Sequence, residues 1–541
     1  MAPEAAFAQA LGAAALGLAL SALLEQKLHP RPHLARPAGA WALHAGMWCT
    51  AHAMLCLLLG RPWFAMATAL AFVLMLVLVS HAKYQALREP FVYSDHEYFT
   101  DALRHPRLYI PFLGWGKFLA AATGFALAIA IGLWLELPPP ARLRWQGQLG
   151  GIAAVLVIGL LLWRIGHATA PQVTFDAEQD MRKLGLLACL WRYRQAQRLP
   201  PRHTSPFAAP HRPASTPQPL PHLVAVQSES FFDARSLHAG IRGEVLADFD
   251  ALRAEALSSG ALQVPAWGAN TVRSEFGFLC GIAPDSLGVH RFNPYRAIAA
   301  GWPVASLAGY LRQLGYRTVC IHPYPASFYL RDRVLPLLGF DEFLDIRQFE
   351  PSQRCGPYIG DAAVAERICA LLDRAAAQPL FIFAITMENH GPLHLERITP
   401  EELQALYDRA PPPGCEELGI YLRHLRNANR MAARLRAHLA RNPQPASLCW
   451  YGDHVPIMPA VYQACGTPSG LVEYLCWSNR PAAPRTAGSA LPTAPGASGA
   501  DAALAVHALA AHWLSLLDLW QPSPGDAPSA PSSWRSLPSS A

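Results

Sequence analysis

Eleven cysteines occur in the chain and none form a C-x-x-C pair, which removes zinc ribbons and thioredoxin-type redox motifs from consideration. An odd count also leaves at least one thiol without an intrachain partner. Charge is scarce: Asp, Glu, Lys and Arg make up 15% of 541 residues, against roughly 25% in average soluble proteins. The net charge of +6 is spread along the chain with no basic stripe, so no nucleic-acid partner is expected. The first apolar segment has no basic n-region before it, only Glu4, so no cleaved signal peptide is expected. Apolar residues are abundant instead, at 52%, and mean hydropathy is positive. That balance points to a membrane protein carrying a more polar domain.

Five apolar segments precede residue 170, at roughly Ala5–Leu24, Trp41–Leu59, Trp63–Ser80, Phe112–Leu135 and Leu149–Ile165. Each approaches the ~20 residues that a helix needs to cross a bilayer. Trp63, Trp115 and Trp134 lie near their ends, as interfacial aromatics do. The loop charges give a less simple orientation. Lys27, Arg31 and Arg36 follow the first segment, and Lys83, Arg88, Arg104 and Arg107 follow the third. Taken alone, these put the first and third loops, and with five spans the C-terminal domain, in the cytoplasm. The stretch 83–98 mixes aromatics with charges and is read as able to lie along the membrane surface.

The predicted domains are a five-span membrane region over 1–170, a juxtamembrane helix and Pro-rich linker over 171–221, a catalytic domain over 222–522, and a disordered tail over 523–541. Within the third, Leu223–Val226, Thr318–Ile321, Leu380–Ile385 and Leu448–Tyr451 read as buried parallel strands. Helical patterns over Val245–Ala256, Pro303–Leu314, Asp361–Arg374 and Tyr421–Leu439 alternate with them, which predicts an α/β sheet flanked by helices. Ala502–Leu517 is read as a further helix packed on the sheet. Such sheets hold ligands at the carboxyl ends of their strands. There the sequence places Glu229 in Q-S-E-S-F, His322 in H-P-Y-P-A-S-F-Y-L-R-D, His390 in T-M-E-N-H-G-P, and Asp453 with His454 in Y-G-D-H-V-P.

Two carboxylates and an imidazole, Glu229, Asp453 and His454, suit a divalent cation of hard-to-borderline character. Three protein ligands leave room for a nucleophile. Thr271, in A-N-T-V-R-S-E-F at the start of a helical pattern, supplies a hydroxyl that such a cation would activate. A helix N-terminus also favours an anionic group such as phosphate. His322, His390 and Arg331 are candidates to hold a phosphoryl oxygen or to protonate a leaving group. Together these residues predict covalent transfer of a phosphoryl or sulfuryl group. Elsewhere, His394 and His424 read as surface or helix residues, and Asp361 either orients a substrate or caps the helix after it.

These motifs resemble the alkaline phosphatase/sulfatase superfamily, and within it the lipoteichoic acid synthase-like phosphoglycerol transferase branch. E-S-F at Glu229, N-T-x-x-S-E-F around Thr271, H-P…F-Y-x-R-D over His322–Asp332, G-F-D-E-F-x-D over Gly339–Asp345, N-H-x-P at His390 and Y-G-D-H over Tyr451–His454 carry the likeness. The resemblance implies an α-helical membrane region followed by an α/β sulfatase-like domain. It also implies one divalent metal ion on Glu229, Thr271, Asp453 and His454, with Mn²⁺ first and Zn²⁺ or Mg²⁺ as alternatives. Thr271 becomes the nucleophile, and His322, Arg331, His390 and Tyr329 become substrate contacts. The implied reaction moves phosphoglycerol from a phospholipid donor, phosphatidylglycerol, through a Thr-linked intermediate to an envelope glycan or polymer. The implied setting is the bacterial cytoplasmic membrane with the catalytic domain outside the cytoplasm, against the charge count above. Sulfate ester hydrolysis fits poorly, because the nucleophile slot reads T-V-R-S-E where a sulfatase carries C-x-P-x-R. Phosphoethanolamine transfer is the main alternative, since His390–Pro392 reads H-G-P as in that group; a non-catalytic membrane scaffold stands behind both.

Overall fold

The computed structural model describes residues 3–96, 99, 115–136, 147–201, 203–208, 216–375, 378–480 and 503–521. The chain divides into two compact units, Met1–Leu199 and Pro200–Ala541.

The first unit is helical. Its long helices run over Pro3–Glu25, Ala38–Leu59, Pro62–Leu87, Trp115–Leu135 and Leu149–Thr169, followed by two short ones, Ala177–Leu184 and Leu186–Ala196. Four of the long helices among the described residues are long and apolar enough to cross a membrane: the first, second, third and fifth. The five-span expectation is reduced to that extent. Its remaining segment, Phe112–Leu135, begins in residues outside those described and continues as the helix Trp115–Leu135. Large apolar side chains such as Leu23, Leu58, Phe72 and Leu161 stand exposed on these helices, an arrangement costly in water and natural against lipid. Helix Ala38–Leu59 crosses Leu149–Thr169 on glycines. A Cβ on Gly46 would lie 2.4 Å from the backbone N of Trp163, and one on Gly166 equally close to that of Leu43. Small residues at such a crossing let dispersion contacts replace the missing hydrophobic drive. Charges inside the unit are paired: buried Arg36 holds Glu25 at 2.5 Å. The stretch 83–98, whose last two residues lie outside those described, begins within a helix. Lys83 is buried there, 2.6 Å from Glu89 Oε1 and 2.5 Å from Asp95 Oδ2.

The second unit is built on an eight-stranded sheet, in the order β10-β2-β9-β8-β1-β7-β3-β4. The strands are β1 (His222–Ser228), β2 (Ser258–Gln263), β3 (Arg317–Ile321), β4 (Glu342–Leu344), β7 (Leu380–Ile385), β8 (Ala446–Gly452), β9 (Val472–Ser478) and β10 (Leu504–Ala505). A separate two-stranded ribbon pairs β5 (Arg354–Cys355) with β6 (Tyr358–Ile359). The four apolar runs are mutually parallel as expected: β1 lies between β7 and β8, and β7 also pairs with β3. Every residue of β1, β7 and β8 is buried, as strands covered on both faces must be. The sheet is mixed, because β9 runs antiparallel to both β8 and β2.

Helices Asp361–Arg374 and Glu416–Arg441 cover expected helical patterns, the second extending further at both ends. The pattern over 303–314 yields a shorter helix, Leu307–Gln313, which starts where Ser306 Oγ accepts the Gly309 N–H at 3.0 Å. The C-terminal helix is Val506–Leu516. The expected tail, 523–541, lies outside the described residues.

Candidate metal centre

Because β1, β3, β7 and β8 run in the same direction, their carboxyl ends deliver side chains to one edge of the sheet. Glu229 and Ser230 follow β1, His322 follows β3, Thr386–His390 follows β7, and Asp453 with His454 follows β8. Opposite them stands the N-terminus of helix Thr271–Cys280, all ten of whose residues are buried. Thr271, Ser274 and Glu275 are spaced i, i+3, i+4, so they share one helix face. Thr271 Oγ1 lies 3.5 Å from His454 Nε2, Ser274 Oγ donates to the Asp453 carbonyl at 2.7 Å, and Glu275 pairs with Arg331 at 2.7 Å. One turn of helix thus positions the hydroxyl and braces the residues around it.

Ligand-type atoms of Glu229, Asp453 and His454 all fall within 4.8 Å of one another, and all three residues are buried. His454 Nε2 is 3.4 Å from Asp453 Oδ2 and 3.6 Å from Glu229 Oε1. His454 Nδ1 lies 3.1 Å from the Val455 carbonyl, which holds a proton on that nitrogen and turns the Nε2 lone pair toward the carboxylates. Asp453 Oδ1 accepts the Ser230 N–H at 2.8 Å, whereas Asp453 Oδ2 is buried with no hydrogen-bond partner. An orphaned carboxylate oxygen facing a second carboxylate and an imidazole lone pair is costly without a cation. The residues therefore fit a divalent metal ion, and the oxygen-rich donor set suits Mn²⁺, Zn²⁺ or Mg²⁺.

Burial, and after it the charge of Asp453, pushes the Glu229 carboxyl up to about 8; His454, Ser230 and Arg331 oppose that shift. In the metal-free chain Glu229 therefore stays protonated across pH values at which the unfolded chain has already ionised. Its contribution to stability is present below about 4.5 and is lost as pH rises toward 8. A cation must displace that proton, so apparent metal affinity should climb with pH up to about 8 and level off above it. Calorimetric titration with Mn²⁺ at several pH values between 6 and 9 checks this; a flat profile would contradict it.

Backbone strain collects at the same place. Ser230 (φ 53), Asn270 (φ 65), Tyr329 (φ 56) and Leu330 (φ 58) are four of the seven non-glycine residues with positive φ among those described. Each costs energy that the surrounding packing must offset, a pattern concentrated at functional sites. They bring Glu229, Thr271, His322, Tyr329, Arg331 and His390 around one small cavity of about 20 Å³.

Not every sequence-predicted contact is equally available. Arg331 is almost fully buried, its Nε and Nη2 on Glu275 and its Nη1 3.1 Å from His322 Nε2. Tyr295 donates to the same Glu275 at 2.6 Å. His322 Nδ1 lies 3.3 Å from the Ile385 carbonyl. Burial and the Arg331 cation hold His322 well below the usual imidazole range, so it is neutral and occupied at both nitrogens. His390 has its Nδ1 2.6 Å from the Gly391 carbonyl, beside the Tyr358 hydroxyl, and burial lowers its pKa. His390 Nε2 is then the ring nitrogen that keeps its lone pair at the cavity. Ser230, Tyr295 and Tyr358 were not singled out from sequence; of the braces around the site, only Ser274 and Glu275 had a readable signal, in the T-x-x-S-E spacing.

His424, read from sequence as a surface or helix residue, is fully buried in helix Glu416–Arg441. It bridges Glu388, 3.0 Å from Nδ1, and Glu396, 3.1 Å from Nε2.

Residues 221–518 match the sulfatase family. A capsular polysaccharide biosynthesis protein of Rhizobium meliloti (strain 1021), RkpI, is 28% identical over 420 residues, covering 74% of each chain. A putative cyclic beta-1,2-glucan modification protein of the same organism is 25% identical over 378 residues, covering 60% of this chain and 57% of that one. Among solved structures, the integral membrane lipooligosaccharide phosphoethanolamine transferase A of Neisseria meningitidis superposes with a TM-score of 0.52 at 13% identity. It covers 92% of this chain and 95% of that one.

Proposed function

This chain belongs to the sulfatase family, and from that premise we propose that it is a metal-dependent transferase of the cell envelope. It moves phosphoglycerol from a phospholipid, phosphatidylglycerol, through a Thr271-linked intermediate to a surface glycan. The observation that carries the reading is Thr271 Oγ1 beside His454 Nε2, within the set formed with Glu229 and Asp453. A serine or threonine hydroxyl in that place suits phosphoryl transfer, and no cysteine stands in the nucleophile slot to support sulfate ester hydrolysis.

When bound, the cation on Glu229, Thr271, Asp453 and His454 lowers the hydroxyl pKa and offsets phosphate charge. In the first half-reaction Thr271 Oγ attacks the donor phosphorus. The Thr–O–P bond forms, the bond from phosphorus to the diacylglycerol oxygen breaks, and that oxygen leaves with the proton lost by Thr271. In the second, an acceptor hydroxyl attacks the same phosphorus, giving its proton to His390 Nε2, and the Thr–O–P bond breaks as that proton passes on to Thr271 Oγ. Arg331, fixed by Glu275, supplies positive charge that does not need to reorganise. Neutral His322 aligns Arg331, and Tyr329 packs with its ring centroid 5.3 Å from the guanidinium.

A diacylglycerol-bearing donor stays in the bilayer, which is a physical reason for apolar helices on the same chain. The names of the two curated relatives, one of capsular polysaccharide synthesis and one of glucan modification, support a carbohydrate acceptor. Phosphoethanolamine transfer is the second reading, favoured by the H-G-P sequence at His390–Pro392. Incubating the purified chain with phosphatidylglycerol or phosphatidylethanolamine and sequencing peptides by mass spectrometry distinguishes them. A glycerol phosphate adduct on Thr271 is expected; a phosphoethanolamine adduct would replace the head group assigned, and no adduct with either lipid would overturn both readings.

On the same reading the catalytic unit works on the far side of the membrane from the cytoplasm. Protease added outside intact spheroplasts should cut within residues 199–221. Cleavage only after lysis would reverse that orientation.

A further inference from the structure

A second group of ligand-type side chains lies apart from the catalytic one. Cys355 comes from the β5–β6 ribbon, Glu388 from the loop after β7, and His424 from helix Glu416–Arg441, and their ligand atoms fall within 4.8 Å of one another. Glu388 and His424 are buried and Cys355 is partly so. These are three chemically different donors from three elements, and nothing in the transfer reaction uses them.

Two further observations point to a ligand. Asp361 is 1% exposed, its backbone N–H donates to Glu388 Oε2 at 2.7 Å, and its Oδ1 has no hydrogen-bond partner. A buried carboxylate oxygen set against a glutamate, with no donor to satisfy it, is a costly arrangement that a cation would relieve. The second observation is the orientation of His424. Its Nε2 sits 3.1 Å from the Glu396 carboxylate, and Glu396 is in turn held by Arg423 at 2.5 Å. A carboxylate accepting the outer N–H of an imidazole is the support that fixes a metal-binding histidine, and it turns Nδ1 toward Glu388 and Cys355.

We propose that Cys355, Glu388 and His424 hold a second zinc ion, distinct from the catalytic centre, with the Asp361 carboxyl as a further anionic group beside Glu388. Sulfur, imidazole and carboxylate donors, three in number, match Zn²⁺ rather than Mg²⁺ or Ca²⁺. Binding releases the Cys355 thiol proton and the His424 Nδ1 proton to solvent, and the Glu396 bond at Nε2 is retained. The site ties the ribbon, helix Glu416–Arg441 and the loop after β7 together. That loop carries His390, two residues beyond Glu388, so the ion would hold the cavity wall in place.

The test uses the full chain purified in detergent, stripped with chelator and reloaded with Zn²⁺ or Co²⁺. Metal analysis should find two ions per chain, one for each ligand group. The Co²⁺ form should show a thiolate-to-cobalt charge-transfer band in the near ultraviolet, since no other proposed ligand is a thiolate. Cys355→Ser should abolish the band and leave one ion, and Asp453→Asn should keep the band and also leave one. In the Asp453→Asn background, added Zn²⁺ should still raise the melting temperature, and the further change Cys355→Ser should remove that rise. A wild-type Co²⁺ spectrum without the thiolate band, or a wild-type chain that holds only one ion and holds none after Asp453→Asn, would overturn the proposal. Both of those readings come from chains with an intact second group, so neither depends on how well the Cys355 variant folds.

Discussion

Thr271→Ala is expected to lower the rate of diacylglycerol release by at least about a thousandfold, the scale on which removing a covalent nucleophile acts. The reasoning is local. Thr271 Oγ1 is the hydroxyl beside His454 Nε2, and the alanine variant offers the donor phosphorus no atom with which to form a bond. The rest of the centre should survive. Asp453 is held through Ser230 N and Ser274 Oγ, and His454 through the Val455 carbonyl, none of which involve the Thr271 side chain. The variant should therefore still bind metal, with the loss falling on kcat. Thr271→Ser keeps the hydroxyl but loses the methyl that restricts its rotamers, so intermediate activity is expected. Release of a fluorescent diacylglycerol from labelled lipid, alongside metal analysis, measures both. Alanine activity within tenfold of wild type would remove Thr271 from the reaction.

Much of this arrangement was legible in the sequence because it is local or periodic. The runs at Leu223–Val226 and Leu380–Ile385 are apolar at every position, which only strands covered on both faces require. Each ends in polar residues where a parallel sheet keeps its ligands. The T-x-x-S-E spacing is a helix face written out directly. What escaped was long-range or sequence-neutral. Strand β2, Ser258–Gln263, contains Ser-Ser-Gly and only one buried residue, so neither composition nor alternation announces it; its place comes from antiparallel pairing with β9. His424 sits in a helix whose other charged residues are all at least partly exposed, and only the tertiary fold reveals Glu388 and Glu396 on either side of it. Sequence likewise does not show that Lys83 is buried against Glu89 and Asp95.

Asp453→Asn separates the cost of the metal centre from its benefit. In the wild-type chain Asp453 Oδ2 faces Glu229 and His454 with no donor to bind. The Ser230 N–H requires an oxygen at the Oδ1 position, so the asparagine amide nitrogen must occupy the other place. There it can donate to the Glu229 carboxylate, replacing a repulsion with a hydrogen bond. Glu229, pushed up to about 8 by burial and then by Asp453, should return toward its ordinary range in the variant. Metal-free, the variant should melt no lower than wild type near neutral pH, and higher as pH rises through about 8, where the wild-type Glu229 carboxyl loses its proton. With Mn²⁺ the order should invert, because losing an anionic ligand costs at least the ~100-fold in affinity that loss of an outer-shell partner can cost, and wild type alone then gains stability from occupancy. Melting curves of both chains, in chelator and in Mn²⁺, give the four values needed. A variant that melts far below wild type in chelator would show that Asp453 serves the fold before the ion, and one still stabilised equally by Mn²⁺ would remove it from the ligand set.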